Sequence, residues 1–475
     1  MGRRGLRSRV AAVCFCQSFG RNTAVTAALE EPSTGGPTAG PGIAELRDRR
    51  VRETVAYCAG RSRFYRDRLR AAGADPGDIA GVADLERLPI LLDKEAEREL
   101  QERSRAEAGH PFGEHLCAPL ESVVAVASTS GTTGAPTFYA FTEADVATTD
   151  ELWARALRLI GVRPGDAVLH GFGLSMFLAG YPVARAVERM GARIVPVGAE
   201  AGSERLLRMA ELVRPRVLLC TPSYATYLAE QAPAVLGRPA AELGIEIIGC
   251  AGEPGAGLPE VRAQIQDAFG ARLHDMLGGA HGVMCASCTS AEYTGMHVLG
   301  EDAAVVTQLV DPDTKEPVPA VDGAIGERVK TSLRWQAQPQ LRASVGDVYE
   351  VLAGPCACGL AGPRIRVIGR TDDLLIVKGV KVYPAAIRNL VQELAPAATG
   401  EMRVVLTAPG PRVEPPLLLT VEGGAGVDES GGGRLADEVA RRMHQRMAVR
   451  PEVTVVPAGT LSRTALKTSL IERRY

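Results

Sequence analysis

Between Val123 and Leu277 the chain alternates short β-branched runs with amphipathic helical stretches, and this alternation restricts the fold more than any other feature. The strand candidates are VVAVAST, DAVLHGF, ARIVPV, PRVLLCTP, IEIIGCAGEP and ARLHDML. Between them lie the helix candidates DELWARALRLIG, YPVARAVERMG, SERLLRMAELV, YATYLAEQAPAVL and LPEVRAQIQDAFG. Strand–helix–strand units close by right-handed crossovers, so the pattern predicts an α/β fold with a largely parallel sheet covered by helices. Upstream, from Ile43 to about Leu100, the periodicity is helical. From about Gly295 to Gly369 the chain turns β-rich and is punctuated by Pro and Gly. After Arg370 come the helix candidates AAIRNLVQEL and GGRLADEVARRMHQRM and the strand candidates MRVVLTA, LLLTVEG and VTVVPAG, a small α+β domain. A chain of 475 residues exceeds one compact domain. The expected organisation is a basic, disordered extension and linker over 1–42, a large body over 43–369 and a small C-terminal domain over 370–475.

Composition mainly excludes. The net charge is −2 and no basic stripe interleaves with aromatics, which argues against a nucleic-acid binder. The N-terminal stretch MGRRGLRSRVAAVCFCQSFGRNTAV is basic with a short apolar run, Val10 to Cys16, too short to span a bilayer and a poor signal peptide. EEPSTGGPTAGPG after it reads as a linker. Elsewhere no run approaches ~18 apolar residues, so the expectation is a cytoplasmic protein with no membrane partner. Ten cysteines in such a chain argue against a disulfide framework. Cys58, Cys117, Cys220 and Cys250 read as buried small hydrophobes, and the Cys14/Cys16 pair, without further partners, receives no role.

The strongest local signal is Ser128-Thr129-Ser130-Gly131-Thr132-Thr133-Gly134-Ala135-Pro136-Thr137, directly after the strand VVAVA. Six hydroxyls around two glycines suit a loop that wraps anionic oxygens, because glycine permits close backbone approach and Ser/Thr add donors. It is not a Walker loop, since no GK[ST] follows. The segment resembles the phosphate loop of the adenylate-forming superfamily of acyl-CoA synthetases, adenylation domains and luciferases. Further segments, in order, resemble the phenylacetate–CoA ligase family: TPSYATYLAE (Thr221–Glu230), AGEP (Ala251, Gly252, Glu253, Pro254), LRASVGD ending at Asp347, IGRTDDLLIVKGVKVYP (Ile368–Pro384) and LSRTALKTSLIERR, which contains Lys467. The match runs from about residue 43 to the end. It implies a large multi-sheet adenylate-forming N-terminal domain and a small mobile C-terminal lid.

The resemblance implies ATP-dependent activation of a small aromatic carboxylic acid as its acyl-adenylate, with transfer to CoA. The acid's carboxylate is already a charged nucleophile, so the chemistry asks for positioning and charge neutralisation rather than a protein base. On this resemblance Ser128 to Gly134 hold phosphates, Ala251 to Pro254 hold adenine, Asp347 holds the ribose, since a carboxylate can accept from two hydroxyls, and Arg370 is a further nucleotide-binding residue. Asp372 is the implied hinge, and Lys467 the implied catalytic cation of the lid; out of context it is an ordinary surface lysine. Phe138, Tyr139, Phe141, Phe172, Gly278 and Gly279 are candidate pocket walls, each of which could equally be core. The family is also compatible with a homodimer.

Two departures stand out. Ala135 replaces the lysine that normally follows the second glycine of the loop, and DMLGGAHGVM places His281 where the family carries a glutamate that helps hold Mg²⁺, with Leu277 for an aromatic residue. Both weaken the expected handling of ATP–Mg²⁺, since Mg²⁺ prefers oxygen ligands. Lys381 also stands where the family usually has Asn. These changes keep two alternatives open: an adenylating enzyme serving a carrier-protein thiol or an amine, and a degenerate, non-catalytic nucleotide- or acyl-binding relative. Finally, Cys288, His297, Cys356 and Cys358 supply three thiols and an imidazole in the β-rich part, a set suited to a closed structural Zn²⁺ site, which some family members carry at matching positions. Cys285 competes with Cys288, because spacing does not choose between them.

Overall fold

The computed structural model describes residues 41–129, 136–279, 284–302, 304–461 and 469–475. Nearly all of the expected N-terminal extension lies outside them. The helical stretch after Ile43 divides into Pro41–Arg61, Arg63–Ala71 and Lys94–Glu107. Side-chain caps start the second and third: the Ser62 hydroxyl accepts from Tyr65 N–H at 3.4 Å, and the Asp93 carboxylate from Ala96 N–H at 2.8 Å. The apolar faces of these helices pack with Val306, Leu333 and Leu341 of the β-rich part.

The main sheet has twelve strands. From one edge it runs Arg193–Val195, Ala167–His170, Val217–Cys220, Ile247–Cys250 and Arg272–Gly278, all parallel. Alternate residues of a strand point to opposite faces. In Val217–Cys220, Val217 and Leu219 join Trp153, Val183 and Val187 on one side, while Leu218 and Cys220 join Leu206, Leu228 and Ile265 on the other. With helices on both faces the strand must be apolar throughout, which is why it reads as a continuous hydrophobic run.

Two expectations need correction. Beyond Arg272–Gly278 the sheet continues antiparallel through Met284–Ala286, Met296–Leu299, Arg364–Arg370, Ala343–Leu352, Ile325–Ser332, Val305–Val310 and Pro317–Val318. Seven antiparallel pairings therefore outnumber four parallel ones among the described residues, and the sheet is mixed rather than largely parallel. The reason is that hairpin connections after Gly278 need no crossover helix. The strand in VVAVAST, Ala125–Ser128, also stays out of this sheet and pairs antiparallel with Phe138–Phe141.

After Arg370 a separate four-stranded sheet forms, ordered Pro451–Val456, Leu417–Gly423, Ala398–Leu406, Ile471–Arg473. Helices Pro384–Gln392 and Glu429–Met447 cover it. The buried members of this core, among them Leu390, Val404, Leu419 and Val439, all come from between Leu375 and Ile471. No helix among the described residues is long and apolar enough to cross a membrane.

Candidate active site

Beyond the carboxyl ends of Ile247–Cys250 and Arg272–Gly278 lies a cavity of about 330 Å³. In open α/β sheets this end of the strands is where ligands bind. Its lining includes the turn containing Gly252, Glu253 and Pro254, the pair Asp347 and Arg370, and Pro384, Ala385, Arg388 and Asn389 of the helix Pro384–Gln392. The AGEP segment and the aspartate–arginine pair, far apart in the chain, thus line one cleft.

Strand register explains the pair, since Asp347 lies directly across from Arg370. Arg370 Nη1 donates to Asp347 Oδ1 at 2.6 Å, and Arg328 Nη2 donates to Asp347 Oδ2 at 3.0 Å. The carboxylate is clamped from both sides, yet each oxygen keeps a lone pair for a further donor. Arg370 also donates to Asp372 through Nε at 2.8 Å, and Lys94 donates to the other oxygen of Asp372. Burial works against the charge on Arg370, but Asp347 and Asp372 outweigh it and raise its pKa. Burial likewise opposes the Asp372 carboxylate, and Arg370 with Lys94 reverses this and holds it well below the usual carboxylate range. The expected hinge residue is therefore tied to both the cleft and the N-terminal helix Lys94–Glu107.

The phosphate-loop segment joins the two strands of the Ala125–Ser128/Phe138–Phe141 hairpin rather than leading into a helix. At its neck Thr129 N–H donates to Thr137 C=O at 3.0 Å, and the Thr129 hydroxyl accepts from Thr137 N–H at 3.1 Å. The outer edge of Phe138–Phe141 would otherwise have unmatched backbone groups, and two glutamines supply partners. Gln101 Oε1 accepts from Phe138 N–H at 2.8 Å while its Nε2 donates to Phe138 C=O at 2.7 Å. Gln338 Oε1 accepts from Ala140 N–H. Side-chain amides thus stand in for a neighbouring strand and hold the loop's base.

A comparison with known proteins decides the family. No protein-family model matches the chain. The phenylacetate–coenzyme A ligase of Thermus thermophilus is 31% identical over 440 residues, covering 88% of this chain and 93% of that protein. The chain belongs to the phenylacetate–CoA ligase family. The Escherichia coli phenylacetate–coenzyme A ligase is 27% identical and covers 72% of this chain and 75% of its own length. Among solved structures, 2-hydroxyisobutyryl-CoA ligase is 28% identical and is represented in several states. In the postadenylation state with 2-HIB-AMP its TM-score is 0.81, covering 93% of this chain and 91% of that one. In the thioesterification state with 2-HIB-AMP and CoA the score is 0.66, at 92% and 91% coverage.

Several of the residues expected to be functional in this ligase family, Ser130, Gly131, Thr132, Thr133, Gly134, His281 and Lys467, lie outside the described residues, as does Ala135. Of the pocket walls, Gly278 lines the cleft. A Cβ there would meet Trp153 Cζ2 at 2.9 Å, so the indole edge lies just behind this wall. Gly279 follows, half-buried. Tyr139 and Phe141 instead pack with Ala127, Val146 and Leu178, and Phe172 with Trp153, because both faces of their segments are covered by apolar neighbours. Cleft residues to which the sequence reading gave no role are Asp275, Tyr293, Arg366, Tyr383 and Arg388. Burial pushes the Asp275 carboxyl up to about 6, against the Tyr293 hydroxyl, which donates to it at 2.7 Å, and Arg262. Asp275 and Tyr383 fall inside the runs DMLGGAHGVM and IGRTDDLLIVKGVKVYP without being singled out there, while Tyr293, Arg366 and Arg388 stand in no such motif and only the fold places them at the cleft.

Away from the cleft, the donor atoms of Cys288, His297, Cys356 and Cys358 all lie within 4.8 Å of one another. Cys288 Sγ is 3.6 Å from Cys356 Sγ, and Cys358 Sγ 3.3 Å from His297 Nε2. A tetrahedral zinc would space two sulfurs by roughly 3.8 Å and a sulfur and a nitrogen by roughly 3.6 Å, so the donor set fits. Cys285 points elsewhere, into an apolar cluster with Met296 and Tyr349, and burial pushes its thiol up to about 12.

Proposed function

We propose that the chain is an AMP-forming acid–CoA ligase. A carboxylate attacks the α-phosphate of the substrate MgATP and pyrophosphate leaves. The CoA thiol then attacks the acyl-adenylate carbonyl carbon, its proton goes to solvent, and AMP leaves with the electrons of the broken acyl C–O bond. The observation that carries this reading is the clamped Asp347 lining one cleft with the AGEP turn, in a chain aligned over nearly the whole length of a named ligase. In it Asp347 accepts from the ribose hydroxyls, Arg370 and Arg328 orient Asp347, and Gln101 and Gln338 fix the base of the phosphate loop. Ser128 to Gly134 wrap the phosphates, and Lys467 brings a cation to the reacting carboxylate. Catalysis is then positioning and charge stabilisation in a site prepared before substrate arrives.

The body 43–369 and lid 370–475 move about Asp372; the separate core built between Leu375 and Ile471 supports that division. The higher similarity to the postadenylation state supports a first-half arrangement of the two parts. The Cys288, His297, Cys356 and Cys358 set would hold a structural Zn²⁺ that ties the turn before Arg364–Arg370 to the neighbouring strand. The substrate is a small aromatic acid, supported by the named relatives and by the Trp153 edge behind Gly278. Ala135 and His281 favour one second reading, a nucleotide-binding relative without catalysis.

The experiment supplies MgATP, arylacetic, aryl and 2-hydroxy acids in turn, and CoA, a carrier protein or an amine as acceptor. AMP, pyrophosphate and an aryl-CoA thioester appearing together support the ligase reading. ATP binding without carboxylate-dependent pyrophosphate release would overturn it in favour of the second.

A further inference from the structure

Arg388 lies on the C-terminal helix Pro384–Gln392, and its side chain is buried against the body. Its Nη1 donates to Glu253 Oε2 at 3.2 Å, with the two side chains only 4% and 2% exposed. Its Nη2 lies 3.6 Å from Glu401 Oε1, on the strand Ala398–Leu406 of the same C-terminal unit. Glu253 has a partner of its own in the body, because its Oε1 accepts from Ser223 N–H at 2.8 Å. Arg388 therefore bridges one carboxylate that travels with it and one that does not.

Three further features bear on what such a bridge does. Arg388 Nε and Glu401 Oε2 are buried without a hydrogen-bond partner. Beside the bridge the interface leaves a cavity of about 30 Å³ lined by Pro222, Thr226, Gln264, Gln392 and Thr399. The contact is thus polar and incompletely packed, unlike the apolar cores on either side of it. A buried ion pair of imperfect geometry adds little net stability, but losing one partner leaves a costly unpaired charge. That combination suits a contact that must be specific when closed and must also open. When the units part, Glu401 stays with Arg388 and the Ser223 amide stays with Glu253, so neither charge is left bare.

We infer that the Arg388–Glu253 pair is a latch that docks the C-terminal unit on the AGEP turn for adenylation and is released for thioester formation. Arg388 is a positioning residue: it acts through the turn that carries Gly252 and Pro254. The inference rests on the two-step ligase reading above.

The test compares Arg388→Met and Arg388→Lys with the unaltered full-length protein in each half-reaction separately. In Arg388→Met, carboxylate-dependent ATP–pyrophosphate exchange falls at least ~10-fold, about 1.4 kcal/mol. Thioester formation from supplied acyl-adenylate and CoA stays within about twofold or rises, and Arg388→Lys recovers most of the exchange, since an ammonium can still pair with Glu253. A parallel fall in both half-reactions, or no change in either, would overturn the latch. Hydrogen exchange on the same proteins gives a readout independent of chemistry. Amides in 253–258 and 384–392 exchange at least ~10-fold faster in Arg388→Met while 217–220 and 417–423 are unchanged, because only local opening is affected. If the unaltered protein catalyses neither half-reaction, the ligase reading fails, and unchanged exchange at the interface separately overturns the latch.

Discussion

Replacing Asp347 by Ala destabilises the protein far more than replacing Arg328 by Met, although the two form a single ion pair. Arg328 has a side chain 3% exposed, and its Nε and Nη1 already lack partners, so Asp347 is the carboxylate that compensates its charge. Asp347→Ala leaves that guanidinium buried and unpaired, a change that costs about 3–5 kcal/mol. Arg370 contributes little to this loss, because it keeps Asp372 and the Val345 carbonyl. In the reverse case Asp347 keeps Arg370 at 2.6 Å. Arg328→Met also removes two unsatisfied donors and sets a flexible apolar chain against the Tyr349 ring, over which Arg328 now lies at 5.1 Å. Its cost is then about 0–1.5 kcal/mol, near the level of a well-filled apolar replacement. Urea denaturation of the two purified variants gives the comparison, with Asp347→Ala at least ~2 kcal/mol worse. Equal losses, or a larger loss for Arg328→Met, would refute the claim that Asp347 shares its charge between two arginines. The same proteins test the ribose assignment. The unaltered chain prefers ATP over 2′-deoxy-ATP by roughly tenfold or more, the worth of a hydrogen bond to a charged group, and Asp347→Ala abolishes that preference.

Three other expectations follow from the geometry. The purified protein carries zinc in a 1:1 ratio by elemental analysis, and Cys356→Ser lowers both the zinc content and the unfolding temperature; full stability without metal would contradict the assignment. Asp275 has a carboxyl raised to about 6, so between its unfolded value near 4 and about 6 the folded state binds more protons than the unfolded state. Stability contributed by that proton is present at the low end and lost as pH rises through this window, and Asp275→Asn flattens the slope there in urea midpoints measured against pH. Gln101→Leu leaves the Phe138 N–H without its side-chain acceptor and the Phe138 C=O with only Gln338 Nε2 at 3.4 Å, and urea denaturation shows a loss of about 1–3 kcal/mol.

The parallel part of the fold was legible because its strands are buried on both faces: a run such as Val217–Cys220 has no polar position to obscure it. The hairpin under the phosphate loop was not, since VVAVA looks the same whether its neighbour is the main sheet or the single strand Phe138–Phe141, whose outer edge meets two glutamine side chains. Asp347 and Arg370 stand in motifs, but Arg328, their third partner, sits in an ordinary strand stretch, at the register break between Glu327 and Val329, and meets Asp347 only through its side chain. The Arg388–Glu253 contact spans 135 positions and depends on how the C-terminal unit docks, which no local pattern encodes. The aromatics were ambiguous for a different reason. Tyr139, Phe141 and Phe172 have the composition of a pocket wall and the surroundings of a core, and burial alone separates the two. For the cysteines the ambiguity was one of spacing, and side-chain direction resolves it in favour of Cys288 over Cys285.

The most direct test of the central claim is carboxylate-dependent ATP–pyrophosphate exchange, measured over a panel of arylacetic, aryl and 2-hydroxy acids for the unaltered chain and for Lys467→Ala. The account predicts exchange with the aromatic acids that is lost in the variant, while both proteins still bind ATP. ATP binding with no exchange for any acid would contradict it and make Ala135 and His281 the marks of a relative that has given up catalysis.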